Sequence, residues 1–180
     1  MTSAISVLES SLKTISAYSD PLGLEPIPDD TRQRFLRFKL SGVNESLLPL
    51  QDIAEVKQLT TVDILPVPEI ANFVLGVCNW RGEILWLVDL NALIGEPSLW
   101  DQAPLLEQPT AIVVQSAQHS IGLVVEHVDD VELIEPGLID QQTELSSPTL
   151  APYVAGYLPE HKGMVLDVEA IVEHFLQVSS

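Results

Sequence analysis

A single cysteine, Cys78, leaves no partner for an intrachain disulfide, so the fold is expected to stand without covalent staples and to belong to the reducing cytoplasm. A lone thiol inside an apolar strand is packing material rather than chemistry. Cations are scarce too: 8 Lys and Arg stand against 26 Asp and Glu, a net charge of -18 that repels phosphate backbones and anionic headgroups. Nucleic acid is therefore excluded as a partner. No apolar run approaches the ~18 residues that cross a bilayer, so direct membrane insertion is not expected. The first residues also lack the cationic and apolar regions of a signal peptide. Glycine occupies 9 positions, with neither GxGxxG nor GxxxxGK followed by Ser or Thr, which leaves nucleotide phosphates without a backbone cradle. No GxSxG elbow marks a nucleophilic serine. His119, His127, His161 and His174 are scattered, with no second His or Cys at ligand spacing, so neither a metal nor another cofactor is expected. Glu126-His127 beside Asp129-Asp130 reads as a solvated strand end.

What the chain has in quantity is apolar residues, 46% of the total, with a mean hydropathy of +0.24. That is enough for a sizeable core in 180 residues, and it suggests apolar surface in search of a partner. Ile5, Leu8, Leu12 and Ile15 stand at helical spacing and predict an amphipathic helix over residues 3–18. Pro21, Gly23, Pro26 and Pro28 make residues 19–31 a linker, so the organised domain starts near Arg32. Leu36, Phe38 and Leu40 alternate with Arg37 and Lys39, and Ser41-Gly42-Val43-Asn44 turns this strand back through Leu47–Leu50. Gln51–Leu59, with Ile53 and Val56 on one face, reads as a short helix. Phe73–Trp80 and Glu83–Val88 form a hairpin about Arg81-Gly82, and Asp89 caps a brief helix ended by Gly95. Residues 96–109 read as a connector, and strands resume at Ala111–Gln115, Ile121–Val125 and Val131–Ile134.

Val88-Asp89-Leu90-Asn91-Ala92-Leu93-Ile94 is echoed by Leu166-Asp167-Val168-Glu169-Ala170-Ile171-Val172. The two aspartates stand 78 positions apart, and Gly76 and Gly156 stand 80 apart. Two similar half-domains, each closed by a capped helix, predict a mainly β fold built as a pair of small barrels.

Residues 76–90 read Gly76-Val77-Cys78-Asn79-Trp80-Arg81-Gly82-Glu83-Ile84-Leu85-Trp86-Leu87-Val88-Asp89-Leu90. This stretch resembles the signature G-V-x-N-L-R-G-x-I-x-P-V-I/V-D-L of CheW-like chemotaxis coupling proteins. Nine positions match, Gly76, Val77, Asn79, Arg81, Gly82, Ile84, Val88, Asp89 and Leu90, while Trp80 replaces the leucine and Trp86 the proline. Leu50–Val56 is similar to the family's first helix, and Ile121–Val131 to its G-I/L-V-V-D-x-V-x-D/E-V segment. The resemblance covers residues 32–178 and leaves residues 1–31 as an N-terminal extension. It implies two SH3-like five-stranded barrels, side by side and intertwined, with short helices. It further implies a non-catalytic, cytoplasmic adaptor that binds the regulatory domain of a CheA-type histidine kinase and the cytoplasmic tip of a chemoreceptor, and that reaches membrane arrays only through these partners. The tryptophans and the extension are similar to versions serving pilus motility or phototaxis. The rivals are a kinase antagonist of the same fold and a small-molecule-binding barrel or hydrolase with no receptor partner.

Arg81, in an apolar hairpin, needs a carboxylate, and the resemblance supplies Glu55 from the first helix. The pair is either a brace or a direct contact. Ile53 and Val56 are core residues or partner contacts, Asn79 lies with Arg81 on the partner-binding hairpin, and Val128 and Val131 fall on the receptor-groove side or in the core. Gly76, Gly82 and Gly122 are backbone requirements, and Asp89 is structural. Residues 1–81 carry 10 acidic and 7 basic side chains, whereas residues 82–180 carry 16 and 1. Arg32, Arg34, Arg37 and Lys39 crowd one strand, so a basic strand of the first barrel is expected either to steer an acidic partner or merely to solvate an edge.

Overall fold

The computed structural model describes residues 30–40, 43–101, 109–141, 148–159 and 163–179. The helix expected over residues 3–18, most of the linker after it, and His161 lie outside the described residues. Among those described, the chain runs β1 (Gln33–Leu40), β2 (Val43–Pro49), β3 (Ile53–Gln58), β4 (Val74–Trp80), β5 (Glu83–Asp89), α1 (Leu90–Leu93), β6 (Thr110–Ser116), β7 (His119–Val125), β8 (Val128–Ile134), β9 (Val154–Leu158), β10 (Gly163–Leu166) and α2 (Val168–Val178).

The strands form two five-stranded sheets, in the orders β8-β1-β2-β10-β9 and β3-β6-β7-β5-β4. The fold is mainly β, as expected. The sheets are built by one rule: a hairpin, β1-β2 or β6-β7, carries an antiparallel strand on one side and a parallel strand on the other. That hairpin always comes from the opposite half of the chain to the three strands it joins. The echo between the halves is therefore real, but a half is not a sheet. The idea of an electrically lopsided pair of barrels fails with it, because Arg34, Arg37 and Lys39 of β1 share their sheet with Asp129, Asp130 and Glu132 of β8.

Residues 53–58 are a strand, not a helix. Leu50–Asp52 make one 3-10 turn, and β3 then pairs antiparallel with β6 from Ile53 opposite Val114 to Gln58 opposite Thr110. So short a segment gains little from helix nucleation, whereas the edge of β6 offers a full ladder of partners and β-branched Ile53 and Val56 suit it.

Three apolar clusters hold the sheets. Phe35, Leu47, Ile134, Leu158 and Val165 fill the first sheet, and Leu59, Cys78, Trp80, Leu85, Leu87 and Val113 fill the second. The largest lies between them, with Leu36, Phe38, Leu48, Met164 and Leu166 meeting Ile112, Val114, Ile121 and Leu123. Strands such as β6 bury both faces, Ala111 and Val113 one way and Ile112 and Val114 the other. Burial on both faces absorbs much of the apolar content that suggested excess surface. α2 docks Val168, Ile171, Val172 and Phe175 on the central cluster at the i, i+3, i+4, i+7 spacing of one helix face.

Both helices begin at the aspartates of the echo. Asp167 accepts from the Ala170 amide at 3.0 Å. Asp89, fully buried, does more: Oδ1 accepts from the Asn91 and Ala92 amides at 3.0 and 3.2 Å, and Oδ2 accepts from the Ser98 hydroxyl at 2.6 Å and the Leu99 amide at 2.8 Å. The connector after α1 is thus anchored at its start. Gly76 is also a requirement of the fold, since a Cβ there would stand 2.2 Å from the Leu65 carbonyl oxygen, whose residue bridges to Val77. Gly122 likewise accepts close packing by the Leu87 side chain.

Candidate functional site

The hairpin between β4 and β5 turns at Arg81 and Gly82, with φ of 54° and 86°, the left-handed pair that a two-residue turn demands. Asn79 stabilises it by accepting from the Gly82 amide on Oδ1 at 3.4 Å. Alternation along β4 then sends Cys78 and Trp80 into the core and Asn79 outward.

At this tip the edge strands of the second sheet meet through side chains. Glu55 of β3 accepts on Oε2 from the Trp80 indole N–H at 2.9 Å and from Arg81 Nη2 at 3.1 Å. Lys57, two residues along β3, donates to the Asn79 carbonyl at 3.3 Å. The Arg81 guanidinium carbon lies 4.9 Å from the centre of the Trp80 ring, a cation–π contact. The expected Arg81–Glu55 pair is therefore present, but its surroundings differ from expectation. It joins a hairpin to a strand, it uses one nitrogen rather than a fork, and the Arg81 side chain is 65% exposed rather than sunk in apolar surroundings. The fork is found elsewhere: Arg37 grips Asp130 through Nε and Nη2 at 3.0 and 3.1 Å, with Glu45 and Glu132 within 3.7 Å.

The Glu55 carboxyl is held below the ordinary glutamate range, chiefly by the Trp80 hydrogen bond, against the opposing pull of partial burial and with further help from Arg81 and Lys57. A lowered carboxyl keeps its contacts at neutral pH and loses them as pH falls through its folded midpoint, in the acid range.

Of the other expected contacts, Ile53 is half-buried against the central cluster, while Val56 is 44% exposed. Val128 also packs on the central cluster, Val131 is 50% exposed, and both lie on β8 of the first sheet rather than beside Glu55. A hollow of about 320 Å³ adjoins the hairpin, lined by Trp80, Ile84, Trp86, Ile121, Phe175 and Leu176. Trp80 is the residue that sequence reading missed; its replacement of an apolar residue beside an arginine was the available signal. Among the described residues no group of three or more His, Cys, Asp or Glu could hold a metal ion, and no helix is long and apolar enough to cross a membrane.

Residues 34–175 match the model of the CheW-like domain. The chain is 28% identical over 133 residues to a probable chemotaxis protein CheW of Rhizobium etli, covering 71% of this chain and 79% of that one. It is 27% identical over 145 residues to the chemotaxis protein CheW of Klebsiella aerogenes, covering 78% and 81%. Protein PilI of Pseudomonas aeruginosa is 26% identical over 134 residues, covering 73% and 72%. In fold, the chain is similar to the crystal structure of the scaffolding protein TtCheW from Thermoanaerobacter tengcongensis, with a TM-score of 0.63 at 22% identity over 76% of this chain and 90% of that one. With its signature hairpin, its paired five-stranded sheets and a match across most of its length, the chain belongs to the CheW-like domain family, whose members are non-catalytic scaffolds.

Proposed function

We propose that the protein is an adaptor that binds the regulatory domain of a CheA-type histidine kinase and the cytoplasmic tip of a chemoreceptor-type signalling protein together, so that receptor state biases kinase activity. The observation that carries this reading is the Glu55–Trp80–Arg81 cluster. It is a pair of opposite charges gathered about one indole at the exposed tip of the hairpin that bears the family signature. Nothing in it serves bond chemistry, since no nucleophile or general base stands within hydrogen-bond reach of another. Val56 of β3, next in sequence to Glu55, and Ile84 of β5 are exposed and supply apolar area that a protein contact uses. On the same reading Val131 of β8 offers a second surface for the receptor, residues 1–31 form an extension apart from the domain at 32–178, and the protein works in the cytoplasm, drawn to membrane arrays by its partners. The likeness to protein PilI favours a pilus-associated pathway as the second setting for the same coupling work.

Co-purification with a CheA-type kinase and a receptor cytoplasmic fragment tests the reading. A ternary complex is expected. A complex with kinase alone would make the protein an antagonist, and no complex with either would overturn the adaptor reading.

A further inference from the structure

We propose that Trp80, rather than Arg81, is the residue that positions Glu55, presenting the free carboxylate oxygen outward and leaving Arg81 available as a direct partner contact. This rests on reading the hairpin as the partner-binding site. The indole is 8% exposed and packed in the core of the second sheet, so its position is fixed by the fold. A buried indole N–H has to find an acceptor, and Glu55 Oε2 at 2.9 Å is that acceptor. Arg81 reaches the same oxygen with one nitrogen from a side chain 65% exposed, the kind of contact that solvent screens and rotamer freedom opposes. Its guanidinium also rests on the Trp80 ring. One tryptophan therefore organises both charged groups, the carboxylate through its N–H edge and the cation through its π face.

Both donors converge on Oε2. Oε1 takes no hydrogen bond from the described residues and is the acceptor left for a partner's cation or amide. The Glu55 carboxyl held below its ordinary range agrees, with the indole hydrogen bond as the largest cause. The leucine that the family signature carries at this place cannot donate, so the arrangement is a device of this chain, and it changes what Arg81 is needed for.

The test is an NMR titration of side-chain carboxyls in the full chain, with affinity for a CheA-type regulatory domain measured on the same samples. Trp80→Phe keeps an aromatic ring and removes the N–H donor together with part of the indole's volume; the Glu55 midpoint is expected to rise, and by more than in Arg81→Ala. Arg81→Ala is expected to raise the Glu55 midpoint by less, while weakening kinase binding by roughly tenfold or more. In the unmutated protein the Trp80 Nε1–H resonance should move with the Glu55 titration, which decides the matter even if Trp80→Phe does not fold. A midpoint that rises as far in Arg81→Ala as in Trp80→Phe, or an indole resonance indifferent to pH across that range, would overturn the proposal. Failure of the unmutated protein to bind the kinase would instead sink the adaptor reading, while the titration would still decide what holds Glu55.

Discussion

Asp89 and Asp167 occupy the same place in the two halves of the chain, yet removing them should have very different consequences. At Asp167 only the Ala170 amide is capped, and loss of one such cap costs about 1 kcal/mol. At Asp89 the substitution to alanine strands four donors at once. The two helix amides represent the same loss of about 1 kcal/mol. The Leu99 amide is buried and the Ser98 hydroxyl is part-buried, and a buried donor left without a partner costs ~1–3 kcal/mol. Together Asp89→Ala should lose about 3–4 kcal/mol, or roughly 10 °C of melting temperature in a domain of this size, against ~3 °C for Asp167→Ala. Asp89→Asn keeps one acceptor oxygen and should fall between. Urea unfolding followed by far-UV dichroism, compared at equal slope, measures all three. Losses in Asp89→Ala and Asp167→Ala that agree within about 0.5 kcal/mol would refute the counting of accepted hydrogen bonds as the source of the difference.

Two further substitutions follow from the same geometry. Gly76→Ala drives a Cβ into the Leu65 carbonyl and should leave little folded protein by heteronuclear NMR, whereas Gly82→Ala meets no atom within 4 Å and should cost only the left-handed backbone, about 1 kcal/mol. Arg37→Gln removes the cation that joins Asp130, Glu45 and Glu132, so stability should fall by about 1 kcal/mol at low ionic strength and recover as salt rises toward ~1 M, with melting temperature as the readout. An equal loss at every salt concentration would show that Arg37 acts through packing instead.

Local signals carried much of the fold. Arg81-Gly82 between two apolar runs can only be a tight turn, and Asp89 and Asp167 ahead of apolar helical patterns announce their own capping bonds. Where the deciding partner lay far along the chain, reading from residues failed. Ile53 and Val56 have the i, i+3 spacing of a helix, and only β6, some sixty residues later, makes them a strand. The echo announced a repeat but could not say which hairpin pairs with which three strands, so a division of charge by sequence halves was mistaken for a division by sheets. Glu55 and Arg81 came from the family signature, and their neighbour Trp80 was passed over because an indole looks like core until its N–H is asked for an acceptor.

The exchange of hairpins between halves has a consequence for how such a molecule can be divided. A polypeptide made only of residues 32–101 would hold β1-β2 and β3-β4-β5, two sets of strands that here never pair with each other. Each would lack the complement that its sheet requires. Such a fragment could satisfy its open strand edges only by trading hairpins with a second copy of itself, reproducing both sheets as a twofold dimer. The intact chain is the covalently joined form of that dimer, with the short passages from β2 to β3 and from β7 to β8 carrying the chain from one sheet to the other.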